Sequence, residues 1–416
     1  MSQGRLRGAT LRPFAHPAFR MLFAGRFVSF VGNAMAPIAL AFAVLDLTGS
    51  VRDLGLVLAC RSVPQLVLLL FGGVFADRLP RHLVIVASNL ISGTSQAVVA
   101  VLLLTGTADL WQLAALEAVN GASSAFLFPA AAGLTPQTVP PALLQQANSF
   151  LRLGLNTASI AGAGVGGILV AAAGPGWALA VDSATFFAGA AFLALIRLPR
   201  GMRLPGGNVL AELRGGWDEF RSREWLWVIV CAFALINMAW TANIAVLGPA
   251  VANHTIGRAA WGLVVAAFTA GLLGGGLLSL RLRPQRTLLV GTVASLLVVP
   301  FLVVLGLEPA ALPLILGAFV GGIGFELFGI YWDLSLQQHV PRDKLSRVSS
   351  YDALGSFLFI PAGQLLAGPL VLLVGLRPAI AVSVTVLVIA TLAALCSRSV
   401  RDLRRTDQLL SGEPGR

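Results

Sequence analysis

The sequence predicts an all-α membrane protein, with twelve transmembrane helices in two pseudo-symmetric six-helix bundles. Composition, long apolar runs and the placement of arginine lead there. Of 416 residues, 57% are apolar and only 11% are charged, against about 25% charged in soluble domains. Apolar runs of about twenty residues, enough to cross roughly 30 Å of hydrocarbon, recur along nearly the whole chain. A net charge of +11 points to nucleic acid only in a soluble chain. Here the arginines lie between apolar runs, where they orient a protein in the lipid bilayer, so no nucleic-acid partner is expected. Cys60, Cys231 and Cys396 show no CxxC spacing, which implies neither a disulfide framework nor a metal site.

Gly, Pro and charge divide the runs into spans. In the first half these lie near 20–45, 54–76, 83–104, 110–131, 146–172 and 177–197. In the second half they lie near 225–249, 259–280, 287–307, 310–332, 349–373 and 377–397. The first run is longer than a secretory core of about 7 to 15 residues and is expected to stay in the mature chain. An even count returns both termini to one side. Segments on that side hold most of the 29 basic residues, including Arg78, Arg81, six arginines between Arg197 and Arg223, and five from Arg398 onward. The opposite loops hold only Arg52, Arg258 and Arg377. The positive-inside bias therefore places both termini in the cytoplasm. The expected organisation is a first bundle over 1–197, a cytoplasmic linker over 198–224 with an amphipathic piece near 210–220, a second bundle over 225–398, and a tail over 399–416.

The halves resemble each other. At an offset of 201 residues, Val139, Pro140, Gly154, Gly162, Gly167 and Gly174 match Val340, Pro341, Gly355, Gly363, Gly368 and Gly375. These are the fourth loop with the fifth span, and the tenth loop with the eleventh. Such a repeat suits a bundle built twice about the bilayer normal.

The loop after the second span reads Gly73-Val74-Phe75-Ala76-Asp77-Arg78-Leu79-Pro80-Arg81-His82. Gly73 lets two helices approach closely, and Asp77 with two arginines makes a charged latch at the membrane edge. The segment resembles the major facilitator signature G-x-x-x-D-R-x-G-R-[RK], with Pro80 in place of the glycine and His82 in place of the last base. Phe19-Arg20-x-Leu22-x-x-Gly25-Arg26, Leu47-Thr48-Gly49-Ser50 and Leu345-Ser346-Arg347-Val348-Ser349-Ser350-Tyr351-Asp352 are similar to the bacterial drug and siderophore exporters of that superfamily. The resemblance implies secondary active export of a small amphipathic organic molecule by proton antiport and alternating access. It implies no cofactor, and a monomer in the bacterial cytoplasmic membrane. The latch is then Gly73, Asp77, Arg78 and Arg81 acting with Asp352 at the cytoplasmic start of helix eleven.

Two segments depart from that branch. Where its helix five carries G-P-x-x-G-G, this chain reads Gly162-Ala163-Gly164-Val165-Gly166-Gly167. Close packing is retained without the kinking proline, and the expected partner is Gly271, Gly274 and Gly275 of helix eight. Where helix four often carries R-x-x-Q-G, this chain reads Glu117-x-x-Asn120-Gly121, a carboxylate in place of the arginine.

Ionisable groups inside a bilayer cost several kcal/mol unless paired or wet, so the few present are candidates for function. Glu117 and Glu326 are candidates for proton coupling. Arg26, Arg61, Arg152 and Asp182 are candidates for intramembrane pairing, with Asp182 expected nearer the periplasmic end. The fold implied by the resemblance lines a central cavity with helices 1, 4, 7 and 10. Their mid-span polar and aromatic groups, Asn33, Asn120, Asn237, Trp240, Asn243 and Tyr331, are the substrate candidates.

Other classes fit less well. An intramembrane hydrolase needs a dyad or an HExxH helix in the core, and His16, His82, His254 and His339 all fall in loops or tails. No GxxxxGK[ST] loop is present to harness nucleotide. A nutrient importer and a non-transporting receptor of the same fold remain open.

Overall fold

The computed structural model describes residues 12–78, 80–196, 217–282 and 284–405, without the side chains at 69–78, 128–129, 132–133, 145, 342–343, 345–347 and 350. Helices and short connections make up this chain, with no strand among the described residues. In the first half the helices are α1 Pro17–Thr48, α2 Val51–Arg78, α3 Arg81–Thr105, α4 Leu110–Leu134, α5 Leu144–Ala173 and α6 Pro175–Ala194. In the second half they are α7 Glu224–His254, α8 Arg258–Ser279, α9 Thr287–Leu307 and α10 Ala311–His339. There follow α11, in two pieces over Arg342–Phe357 and Ile360–Val374, and α12 Leu376–Cys396.

Ten of these are long and apolar enough to cross a membrane among the described residues. The other two, α2 and α4, are 28 and 25 residues long. They carry Arg52, Asp53 and Arg61, and Gln112, Glu117 and Asn120, and each includes positions whose side chains lie outside the described residues. The count is consistent with the twelve spans expected from the sequence. The helix ends fall within a few residues of expectation at most positions, but α10 continues to His339 instead of ending near 332.

Proline explains where the second half breaks its helices. Gly248–His254, Val299–Leu307 and Ile360–Val374 each begin again with proline at the second residue, namely Pro249, Pro300 and Pro361. Each lacks the N–H that the carbonyl four residues back requires, and the chain relaxes before it. A π turn spans Ala242–Leu247, a 3-10 turn Ser295–Val298, and a two-residue turn 358–359. The repeat is visible in the backbone. Gly174 and Gly375, an aligned pair, cap α6 and α12 with φ 89°, ψ 166° and φ 88°, ψ 168°. Positive φ is a conformation that suits glycine.

By contact the chain forms two units. The first gathers α1–α6 with Ile244–Ala266 and Gln364–Leu373, and the second holds the remainder of α7–α12. The first unit is laced by small polar residues, because a hydrophobic effect between helices is absent in lipid. Ser29 donates to Asn89 Oδ1 at 3.0 Å, Ser92 and Ser123 pair at 2.6 Å, and Ser183 donates to Gly93 O at 2.8 Å.

The glycines of α5 do allow close packing, but not against the expected residues of α8. A Cβ on Gly167 would come 2.7 Å from Gly262 Cα, and one on Gly164 would come 3.9 Å from Ala266 Cβ. Gly162 and Gly166 face α1 at Val31 and Met35. Gly271, Gly274 and Gly275 pack instead on α10, at Phe319 and Ile323. The glycine stripe of α8 thus serves two neighbours, and its first turns are the ones that meet α5.

Candidate functional site

The first unit holds a buried polar cluster around Arg61. Gly121 of α4 meets the carbonyl of Arg61, an approach that any side chain at Gly121 would block. Glu117 lies one turn earlier on the same face, so the approach brings Arg61 Nη1 to 3.6 Å from Glu117 Oε2. Arg61 Nη2 also donates to Asn33 Oδ1 of α1 at 2.9 Å. Gln96 Nε2 of α3 donates to Glu117 Oε1 at 3.1 Å. Glu117 and Asn120 are fully buried. Of the three arginines expected as partners for Glu117, Arg61 takes the role. Arg26 makes no ion pair among the described residues, and Arg152, exposed on α5, has other neighbours.

Asp182 joins this cluster from the first half of α6. It is fully buried on α6, and both its oxygens lack a hydrogen bond among the described residues. Gly32 makes room for it, since a Cβ there would come 2.7 Å from Asp182 Oδ1. Gly32 precedes Asn33, the Arg61 acceptor. Asp182 feels the charges of both Arg61 and Glu117. Among the described residues it forms no ion pair.

In the second unit the remaining candidates separate. Asn237 Nδ2 donates to Ser356 O at 3.0 Å, tying α7 to α11. Asn243, fully buried in the π turn, donates to Ala239 O at 2.8 Å and Ser383 Oγ at 2.6 Å. Trp240 packs in an aromatic group with Phe268 at 4.5 Å and Phe325 at 5.2 Å between ring centroids. Tyr331 is 3% exposed and donates to Leu282 O at 3.4 Å. Glu326 has neighbours of its own and packs beside Gly275 of α8. Asn120, Asn243 and Tyr331 therefore sit inside helix packing, while Asn33, Asn237 and Trp240 keep partial exposure.

The latch is described only in part. The side chains of Gly73, Asp77 and Arg78 lie outside the described residues, and Arg81 has a neighbour of its own. Asp352 accepts from Trp332 Nε1 at 2.9 Å and from Ser356 Oγ at 3.2 Å.

Two features were not anticipated from the sequence. Gln96 belongs to a polar stripe, Asn89, Ser92, Gly93 and Gln96, whose helical spacing marks a face turned to other helices. In the last turn of α1, Asp46 forms a two-pronged ion pair with Arg258 at the start of α8, Nη1 to Oδ2 being 2.8 Å. The Arg258 guanidinium also lies 5.1 Å from the Phe42 ring centroid. Both residues belong to the first unit.

A multi-pass helical bundle with a buried acid–base cluster and a repeated six-helix pattern defines a membrane transporter, not an enzyme. Residues 22–358 match the Major Facilitator Superfamily, and the chain belongs to it. It is 28% identical over 400 residues to the multidrug efflux pump Tap of Mycolicibacterium fortuitum, covering 92% of this chain and 96% of that protein. It is 28% identical over 372 residues to the enterobactin exporter EntS of Citrobacter koseri, covering 84% and 86%. Among solved structures it matches a bacterial homolog of the human lysosomal transporter Spinster, inward-facing and occupied, with TM-score 0.72, 16% identity and coverage of 94% and 98%. A POT family transporter in complex with 5-aminolevulinic acid matches with TM-score 0.73, 11% identity and coverage of 91% and 96%. The structural matches speak for the fold alone.

Proposed function

We propose that this transporter is a secondary active exporter of small amphipathic organic molecules, driven by proton antiport. The observation that carries the reading is the Arg61–Glu117 pair, fully enclosed on its acidic side and tied to α1 through Asn33. A transporter that borrows a proton gradient needs a carboxylate that is dry in one state and wet in another, and Glu117 is suited to that. The export direction draws support from the two relatives, whose printed functions are efflux of drugs and of enterobactin.

In this reading 1–197 and 225–398 form two bundles that rock about a central path, joined by 198–224, with a tail at 399–416. Asn33, Asn237 and Trp240 contact substrate. Both termini are cytoplasmic, the membrane is the bacterial plasma membrane, and the transporter works as a monomer. Asp77, with Arg78 and Arg81, latches the cytoplasmic end, so Asp77→Asn cuts transport without abolishing insertion. Direction is tested by loading a compound panel, including a catecholate siderophore and cationic dyes, outside everted and right-side-out vesicles. Export gives energised accumulation in everted vesicles only, and accumulation confined to right-side-out vesicles refutes it.

A further inference from the structure

We propose that Glu117 and Asp182 share a single proton, with Arg61 as their common counter-ion, and that this cluster stores the proton the transporter exchanges for substrate. The role in exchange rests on the antiport reading above. The existence of the site does not.

Charge counting carries the inference. Both acids are fully buried, and each lies two turns in from the start of its helix, about 10 Å at 1.5 Å per residue. The helices packed around them offer few charges. Well inside the helices, α1 presents Arg26, α2 presents Arg61 and α5 presents Arg152, while Arg20 and Asp46 of α1, Arg52 and Asp53 of α2, and Arg81 and His82 of α3 stay in end turns. Of these, Arg61 alone acts on both acids, and the two acids repel each other. With both acids ionised the cluster carries one uncompensated negative charge in a dry interior, which is costly. With two protons it leaves Arg61 uncompensated. One proton makes it neutral.

The hydrogen bonds say where that proton rests. Glu117 has Gln96 as a donor and Arg61 beside it, so it is equipped to stay ionised. Among the described residues Asp182 has no donor to either oxygen, and a neutral acid tolerates that far better than a carboxylate does. In this structure the proton therefore sits on Asp182. It leaves to water when the cluster is wetted, with both carboxylates then hydrated about Arg61, and returns when the cluster dries. Only an O–H bond breaks and re-forms.

The test needs no substrate. The whole protein is reconstituted in lipid bilayers, and infrared spectra at neutral pH in H2O and D2O read the C=O stretch of protonated carboxylic acids. Subtracting Asp182→Asn, or Glu117→Gln, from wild type leaves a positive deuterium-sensitive band of one acid in each case, because the remaining acid is matched by Arg61. Arg61→Gln does the opposite and adds the intensity of one more acid. If Asp182→Asn fails to fold, Glu117→Gln reports the same loss. A wild type whose band survives in both acid variants overturns the site. A band that behaves as expected, beside accumulation indifferent to a protonophore, leaves the site standing and removes its role in antiport.

Discussion

Arg61 stands 3.6 Å from Glu117 while donating to Asn33, so one side chain of α2 ties α1 to α4. The contact exists because Gly121 lets α2 and α4 approach at that level. Removing one partner of a buried pair leaves an uncompensated charge, a cost of about 3–5 kcal/mol. Glu117→Gln is expected to lower thermal stability in detergent by less than that, because Asp182 can ionise opposite Arg61 in its place. Adding Arg61→Gln recovers most of the loss. A double variant no more stable than the single would show that the pair does not act as a structural unit.

The Arg258–Asp46 pair is different, because both side chains keep contact with solvent, at 24% and 39% exposure. Such pairs contribute about 0–1 kcal/mol and weaken with salt, so this one suits a contact that must open and close. Cysteines at both positions, in a background lacking Cys60, Cys231 and Cys396, should be joined by a short, reducible bifunctional thiol reagent and stop transport, with reductant restoring it. Transport at an undiminished rate by the cross-linked protein would separate this contact from the transport cycle.

Gly167 and Gly262 give a packing prediction with an internal control. A side chain at Gly167 is driven into Gly262 Cα, whereas Gly164 has 3.9 Å to Ala266 Cβ. Gly167→Leu is expected to cost about 1–3 kcal/mol, and Gly164→Ala to be near neutral. Thermal unfolding of the two variants checks this. Equal effects would mean that α5 and α8 do not meet as described.

Outside the membrane, Glu219 of the short helix at 217–222 accepts from Lys344 Nζ at 2.7 Å and pairs with Arg223. The Lys344 and Arg223 hydrogen bonds hold its carboxyl below the ordinary glutamate range. A depressed folded value means that the stabilisation is complete above the ordinary value and is lost as pH falls through the folded one. Docking of this helix, which also packs the Trp217 and Phe220 rings against Tyr351, should persist at neutral pH and loosen in acid. Trp217 fluorescence reads it, and Glu219→Gln should abolish the pH dependence.

The helices were legible because lipid imposes a length and an apolarity that recur twelve times in the sequence. Glu117 and Arg61 were legible for the same reason, as charges where charge is costly. Their partnership was not, since it depends on Gly121 meeting a backbone carbonyl on another helix. Nor was the place of Asp182 beside this pair legible. Gly32, the gap that admits it, is invisible until α1 and α6 are packed. The partner of α5 was misplaced within α8 by several turns for a related reason: a stripe from Gly262 to Gly276 offers many close approaches, and sequence spacing does not choose among them.

The central claim, that the Glu117 cluster couples transport to protons, is tested most directly by Glu117→Gln in vesicles, compared at equal amounts of folded protein. The amide mimics the protonated acid permanently. The account predicts that the variant still binds and exchanges a substrate found in the panel, while accumulation driven by a pH gradient is lost. A Glu117→Gln protein that concentrates that substrate as wild type does would contradict it.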